Sequence, residues 1–434
     1  MPREWVNSFY FTVLAVFAVT SVEVRAAGHP LSEIVLKAYT TSPAIVAAQE
    51  QLKITELELS NSKAGFLPSL DLTSSHGLLT GRPKSLTSPW TSSLGLTLTE
   101  NLYDNHRNIN TYKIKQLQRE SANASLREAK NVLARDLASL YYQWSQAVQT
   151  AELRSQALET FTKQYKFVES QFHQGMKAKK DYQKNRASWE GAVLEDMSAK
   201  AAVKTARYAL LAKMGVDPMS DFPLVAAEPV VKVEEIPKEK PKFEQNWAYQ
   251  AADIELRIRP IEVYQASREF YPQVLLQAGA NYNNASYLNS GQRFGATESY
   301  GANVALTINY NFLDWGIRGR TVDISEHRKN IATEQFRERK LSLAQEAATL
   351  ELELDRLRQT YEISASLFKN EEDAFNATQR DYREGKVNSF EFIGYQRDYL
   401  NARLGFLTAR YGLYAALTRY YYLTGELDER IVKL

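Results

Sequence analysis

Pro272-Gln-Val-Leu-Leu-Gln-Ala-Gly-Ala-Asn-Tyr282, a polar run, and then Asn303-Val-Ala-Leu-Thr-Ile-Asn-Tyr-Asn-Phe312: this stretch decides the fold. In its second half Val304, Leu306, Ile308, Tyr310 and Phe312 share one face, and Asn303, Ala305, Thr307, Asn309 and Asn311 the other. A period of two marks a β-strand with one apolar and one polar face. The first half repeats this less strictly, with Val274, Leu276, Ala278, Ala280 and Tyr282 set against Gln273, Gln277 and Asn281. Each strand is expected to be about ten residues, the length a tilted strand needs to cross a bilayer. A single hairpin of this kind also suits a half-buried soluble sheet. The surrounding chain decides between the two, because the hairpin occurs twice and nearly everything else reads as helix.

The first copy follows Phe66-Leu67-Pro68. Leu70, Leu72 and Leu78 alternate with Asp71, Thr73 and Ser75, a Ser/Thr/Gly/Pro-rich loop spans about Gly81 to Thr91, and Leu94, Leu96 and Leu98 alternate with Gly95, Thr97 and Thr99. Pro68 and Pro272 suit a strand's first residue, where no ladder donor is needed. Residues 105 to 214 hold no proline and only Gly175 and Gly191, and are rich in strong helix formers. Leu126, Leu133 and Leu140 recur every seven residues, with Leu137 and Trp144 beside them, which is coiled-coil spacing. Asp104 is placed to cap this helix.

The plan then repeats. Tyr271-Pro272 matches Leu67-Pro68 at an offset of 204, while Leu313-Asp314 matches Tyr103-Asp104, and Gly385 matches Gly175, at 210. The six added residues are expected in the loop of the second hairpin. An internal duplication of this size outweighs any single motif. The expected order is a signal segment at 1–26, repeat one at 27–215 with its β-hairpin at about 68–103, a Pro- and charge-rich linker at 216–246, and repeat two at 247–434 with its hairpin at about 272–313. The helix 31–64 and the helix 180–214, stacked end to end, would pair with the whole long helix 105–172, a rod of roughly 100 Å. Repeat two fits this scheme less tightly.

Composition narrows the function. With 53 basic against 51 acidic residues there is no electrostatic case for nucleic acid, and without cysteine there is no disulfide, thiolate or lipoprotein anchor. Arg3, the apolar Phe9–Val19 and Val24-Arg25-Ala26 read as a secretory signal, too short to span a membrane. No later run reaches the eighteen apolar residues or so of a transmembrane helix, so a membrane would be met through strands. Four strands cannot close a barrel, and open edges are not tolerated in lipid, so the chain is expected to assemble with copies of itself. Phe66, Tyr103, Tyr271, Phe312 and Trp315 collect where strands meet helices, as an interfacial girdle requires; junction packing would collect them too. The five histidines are scattered, no phosphate loop or nucleophile elbow is present, and no enzyme, metal or cofactor is expected.

Phe66-Leu67-Pro68-Ser69-Leu70 with Leu102-Tyr103-Asp104 forms one set of motifs, and Phe270-Tyr271-Pro272 with Phe312-Leu313-Asp314-Trp315-Gly316 its repeat. With Tyr382-Arg-Glu-Gly385-Lys-Val-Asn-Ser-Phe-Glu391-Phe392 and Tyr395-Gln-Arg-Asp-Tyr-Leu-Asn-Ala402, the chain resembles the TolC family of outer-membrane efflux proteins across its mature length. Trp247, standing where repeat one has Pro43, departs from the duplication.

The resemblance implies a mainly α protein with membrane β. It would be a trimeric twelve-stranded barrel, four strands per chain, continued by a coiled-coil tunnel through the periplasm. It further implies a passive export channel in the outer membrane and its lipid. A periplasmic adaptor (membrane fusion) protein and an inner-membrane transporter of the ABC, RND or MFS class would be its partners, in efflux or type I secretion. A soluble exported coiled-coil scaffold or adhesin is the competing reading. On the family's pattern Asp181, Tyr382 and Glu391 would line the periplasmic aperture; ordinary coiled-coil surface positions are the competing reading. The family's usual arginine is here Val387 and a second acidic position is Gly394, with Arg383 or Lys386 as substitutes. The hairpin tips at Gly175, Lys177, Lys179, Lys180, Gly385 and Lys386, with Lys184 close by, would dock the adaptor or simply be solvated turns. Pro68, Asp104, Pro272 and Asp314 mark the strand boundaries.

Overall fold

The computed structural model describes residues 30–78, 90–226, 237, 241–288, 294–427 and 430–431. The expected signal segment, most of the Gly81–Thr91 loop and most of the charged run in the linker lie outside them.

Two copies of one plan follow each other. Helices α2 (Pro43–Ala64) and α5 (Trp247–Arg268) have 22 residues each, α3 (Arg107–His173) and α6 (Ile317–Arg383) 67 each, and α4 (Lys179–Met214) and α7 (Ser389–Thr424) 36 each. The expected single helix over 31–64 is instead two, because α1 (Pro30–Thr41) stops at Ser42. Ser42 is extended (ψ 123°) and Pro43 opens α2, where its missing N–H costs nothing. Helix α1 turns aside and buries Leu31, Ile34, Val35 and Ala38. The two repeats are therefore built from the same helix lengths, and repeat one does not fit better than repeat two. Pro260 lies inside α5 without ending it.

In each repeat the short helices stack end to end along the long one. Gly215 (φ +76°) closes α4, Val216 N–H donating back to the Leu211 carbonyl. A Cβ on Gly215 would lie 2.5 Å from the Thr41 carbonyl oxygen, and one on Gly425 as close to that of Gln245. Glycine is what lets these helix ends touch the neighbouring backbone. Around this level Leu133, Leu137, Tyr141, Leu210, Met214, Leu350, Leu413 and Leu417 form a belt of buried side chains halfway along the rods.

The strands β1 (Ser69–Leu78), β2 (Trp90–Tyr103), β3 (Gln273–Leu288) and β4 (Phe294–Asn309) form one antiparallel sheet in sequence order. The described strands of the second hairpin have 16 residues each, against 10 and 14 in the first, and the loop at 289–293 expected to take the added residues lies outside the described residues. Tyr310 and Phe312, read as strand, fall beyond the end of β4. The faces are as the alternation requires. Leu70, Leu98, Ala278 and Val304 pair in one row across the sheet, and Asp71, Thr97, Gly279 and Asn303 in the next. Val304 is 76 % exposed and Leu72 70 %, an apolar face that no described residue covers. Strands β1 and β4 are open edges.

Candidate functional site

Two helical hairpins, α3/α4 and α6/α7, carry the tips furthest from the sheet. Each turns on one glycine in the left-handed region, Gly175 (φ +76°) and Gly385 (φ +75°). Met176 N–H donates to the Gln171 carbonyl and Lys386 N–H to that of Asp381, the Schellman closure that satisfies the last carbonyls of a helix. No atom stands within 4 Å of a Cβ built on either glycine, so backbone conformation alone demands them.

The returning helices begin differently. Asn388 caps α7, its side-chain oxygen accepting from the N–H groups of Phe390 (2.9 Å) and Glu391 (3.0 Å). Ala178, its counterpart, has no side chain that can do this. Glu391 is exposed and Asp181 half-buried, each in the first turn, where a carboxylate is favoured by the helix dipole. Lys179, Lys180 and Lys386 are exposed and Lys177 half-buried, with Met176 exposed beside Lys177, Lys179 and Lys180 at the first tip. Lys386 pairs with Glu384 at 2.6 Å. Lys184 Nζ lies 5.8 Å from the centre of the Phe390 ring, a contact from one tip to the other. The charge at Lys184 is plain in the sequence; its reach to Phe390 is not.

Tyr382 stacks on Phe392, centroids 4.6 Å apart and planes 13° from parallel, and burial pushes its hydroxyl pKa up. The counterpart in the first hairpin is Phe172 on Tyr182, 4.8 Å apart and 11° from parallel. The hydroxyl has changed sides. Tyr182 spends its own on Tyr165 (3.3 Å), which in turn donates to Glu169 (2.6 Å). The Tyr382 hydroxyl has no hydrogen bond to any described residue.

Above Tyr382 the stacking continues. Phe392, Phe375, Tyr399, Phe368, Phe406 and Tyr361 follow ring on ring, with centroids 4.9 to 6.0 Å apart. The signal for this ladder stands in the sequence as two seven-residue series, 361-368-375-382 and 392-399-406, which the reading of coiled-coil leucines passed over.

At the other end, β1 and β3 start one residue after Pro68 and Pro272. Asp104 accepts from Asn108 N–H (2.7 Å) and Asp314 from Gly316 and Arg318 N–H (both 3.0 Å), each turning the chain from strand to helix. Arg318 adds a 2.6 Å ion pair to Asp314. Phe312 is 88 % exposed and Trp315 79 %, so these two are not junction core.

A family profile described as outer membrane efflux protein matches residues 35–216 and 244–426, one match per repeat. The chain belongs to this family. Its members are outer-membrane channels with a periplasmic tunnel, and the efflux channel's sheet here is its membrane part. Among solved structures, the Campylobacter jejuni CmeC outer membrane channel superposes with a TM-score of 0.80 at 14 % identity, covering 100 % of this chain and 97 % of that one. A membrane protein from Pseudomonas aeruginosa gives 0.78 at 18 %, covering 92 % and 91 %. The open state of the Neisseria gonorrhoeae MtrE channel gives 0.72 at 16 %, covering 92 % and 89 %. No curated protein sequence matches. Channels of the family form trimers and are passive conduits. A soluble scaffold would leave the apolar sheet face in water, and that reading is dropped.

Proposed function

We propose that three copies of this efflux channel close a twelve-stranded barrel through β1 and β4. The channel passively exports substrates handed to it by a periplasmic adaptor and an inner-membrane transporter. The hairpin tips form its periplasmic aperture. Asp181 and Glu391, each present three times around the axis, act as carboxylate rings that favour cations and hold divalent ions between their oxygens. Gly175, Lys177, Lys179, Lys180, Gly385 and Lys386 are the surface offered to the adaptor. The observation that carries this reading is the Tyr382 hydroxyl: half-buried at the tip, and unengaged where its counterpart on Tyr182 is engaged. It is available to a neighbouring copy and would hold the closed arrangement.

Single-channel recording in planar bilayers tests the proposal. Tyr382→Phe should raise resting conductance, and Glu391→Ala should weaken divalent block and cation preference. Unchanged conductance, selectivity and block in both variants would put the constriction elsewhere.

A further inference from the structure

Glu100 stands in the wrong company. On β2 it follows Leu94, Leu96 and Leu98 along the membrane-facing side, and it pairs across the sheet with Leu276, which pairs with Leu306. Its Oε2 is shielded from solvent and has no hydrogen-bond partner, and among the described residues no cation pairs with it. A carboxylate left like this in an apolar row is costly unless something positive reaches it. The position is at the helix end of the sheet. Tyr103 follows on the same face, paired with Val274 beyond a bulge.

Beside Tyr103 is the opposite anomaly. Arg268 lies over the rings of Tyr264 (4.9 Å) and Tyr271 (5.1 Å), donates twice to the Tyr264 hydroxyl, and has no carboxylate partner among the described residues. His106 stacks on Tyr264, and its ring meets Tyr103 at 5.9 Å. His106 links the ring under Arg268 to Tyr103. One acid without a cation and one guanidinium without a carboxylate thus stand near the helix end of the sheet, joined through Tyr103, His106 and Tyr264 and not paired with each other.

A third feature begins one row further into the membrane. Alanines replace larger side chains at 278, 280 and 302, and between Leu70, Leu98 and Val304 they leave an open trough of about 360 Å³ on the outer face. Its lining is mostly apolar, and it begins one row beyond Glu100.

We propose that the junction and the trough together form a site for one zwitterionic aminophospholipid of the membrane's inner leaflet. The ammonium meets Glu100, the phosphate meets Arg268, and one acyl chain lies in the alanine trough. A zwitterionic headgroup carries both charges that the two residues lack; an anionic lipid satisfies only Arg268. The inference rests on the membrane position of the sheet and not on the aperture, so its failure leaves the export reading untouched.

Native mass spectrometry of the full-length channel, loaded with phosphatidylethanolamine or phosphatidylglycerol of the same acyl chains, decides it. The channel should retain the ethanolamine lipid about fivefold better, what one partly desolvated ion pair is worth. Glu100→Gln should bring the two lipids to equal retention by lowering only the first. Arg268→Gln should lower both, and so should Ala280→Phe, which fills the trough. Equal retention by the unaltered channel would overturn the proposal, as would a preference that survives Glu100→Gln. If Glu100→Gln instead releases monomers in lipid-free detergent, the carboxylate belongs to a contact between copies and the proposal also fails.

Discussion

The two hairpins have identical lengths, 67 and 36 residues, and are held together by different means. In α6/α7 seven rings stack from Tyr361 down to Tyr382. In α3/α4 the rings stop at Tyr165 stacked on Trp189, 5.0 Å apart. One heptad above Trp189, where the second hairpin has Phe406, stands buried Asp196, accepting from Ser155 (2.5 Å) and pairing with Lys200 (2.7 Å). Around it the seam narrows to Ala151, Ala192 and Ala199. Rings add area and attraction with little demand for one alignment, while a polar pair across a seam fixes which residue faces which. The second hairpin is glued and the first is indexed.

Breaking the glue should have the largest effect. Phe392 is buried between Tyr382 and Phe375, and Phe392→Ala should destabilise the second hairpin by about 3 kcal/mol. Tyr182→Ala, at the half-buried counterpart, should cost clearly less, and hydrogen exchange of the two tips measures both. If the costs are equal, the ladder is ornament and the contrast between the hairpins collapses.

The turns should not distinguish the hairpins. Gly175→Ala and Gly385→Ala face only the left-handed backbone penalty, about 1 kcal/mol each, because nothing stands near the new methyl. Tip exchange rates should rise alike in both variants; a much larger rise in one would reveal a contact made only in the assembly.

The helix starts should diverge again. Asn388→Ala should cost about 1 kcal/mol at the second tip, and Ala178→Asn should stabilise the first by a similar amount, read as opposite shifts in tip exchange. If Ala178→Asn does nothing, Asp181 already serves those N–H groups.

The smallest expected difference is in pH response. Lys200, then Ser155, hold the Asp196 carboxyl below its usual pKa against the effect of its burial. A depressed folded pKa means stability that is present above the unfolded value, about 3.9, and lost as pH falls through the folded one. In acid below that range the 155/196 level of the first hairpin should exchange faster than in neutral buffer, after correction for intrinsic rates. Asp196→Asn should remove this pH dependence, which the Phe406 level of the second hairpin never has.

Much of this architecture can be read before any coordinates, because period-two strands, an unbroken helix and an offset of 204 or 210 leave few alternatives. The break at Ser42 was hidden because a proline near a helix start is as compatible with one helix as with the first residue of another. The longer strands of the second hairpin were hidden because polar outer-strand residues resemble loop. At the tips, glycines and carboxylates stand out by type and spacing. Which tyrosine has a free hydroxyl depends on Tyr165 facing Tyr182 across the seam, and that pairing follows only from helix packing.

The equal lengths of α3 and α6 have a rotational meaning. A helix turns about 100° per residue, so one residue inserted anywhere along α6 would swing Tyr382 and its tip around the rod by that angle. Seven inserted residues restore the orientation to within about 20° and lengthen the rod by about 10 Å. The two arms behave like keyed shafts: divergence has rewritten their seams residue by residue, while the distance from strand to tip stays free to change only in whole heptads.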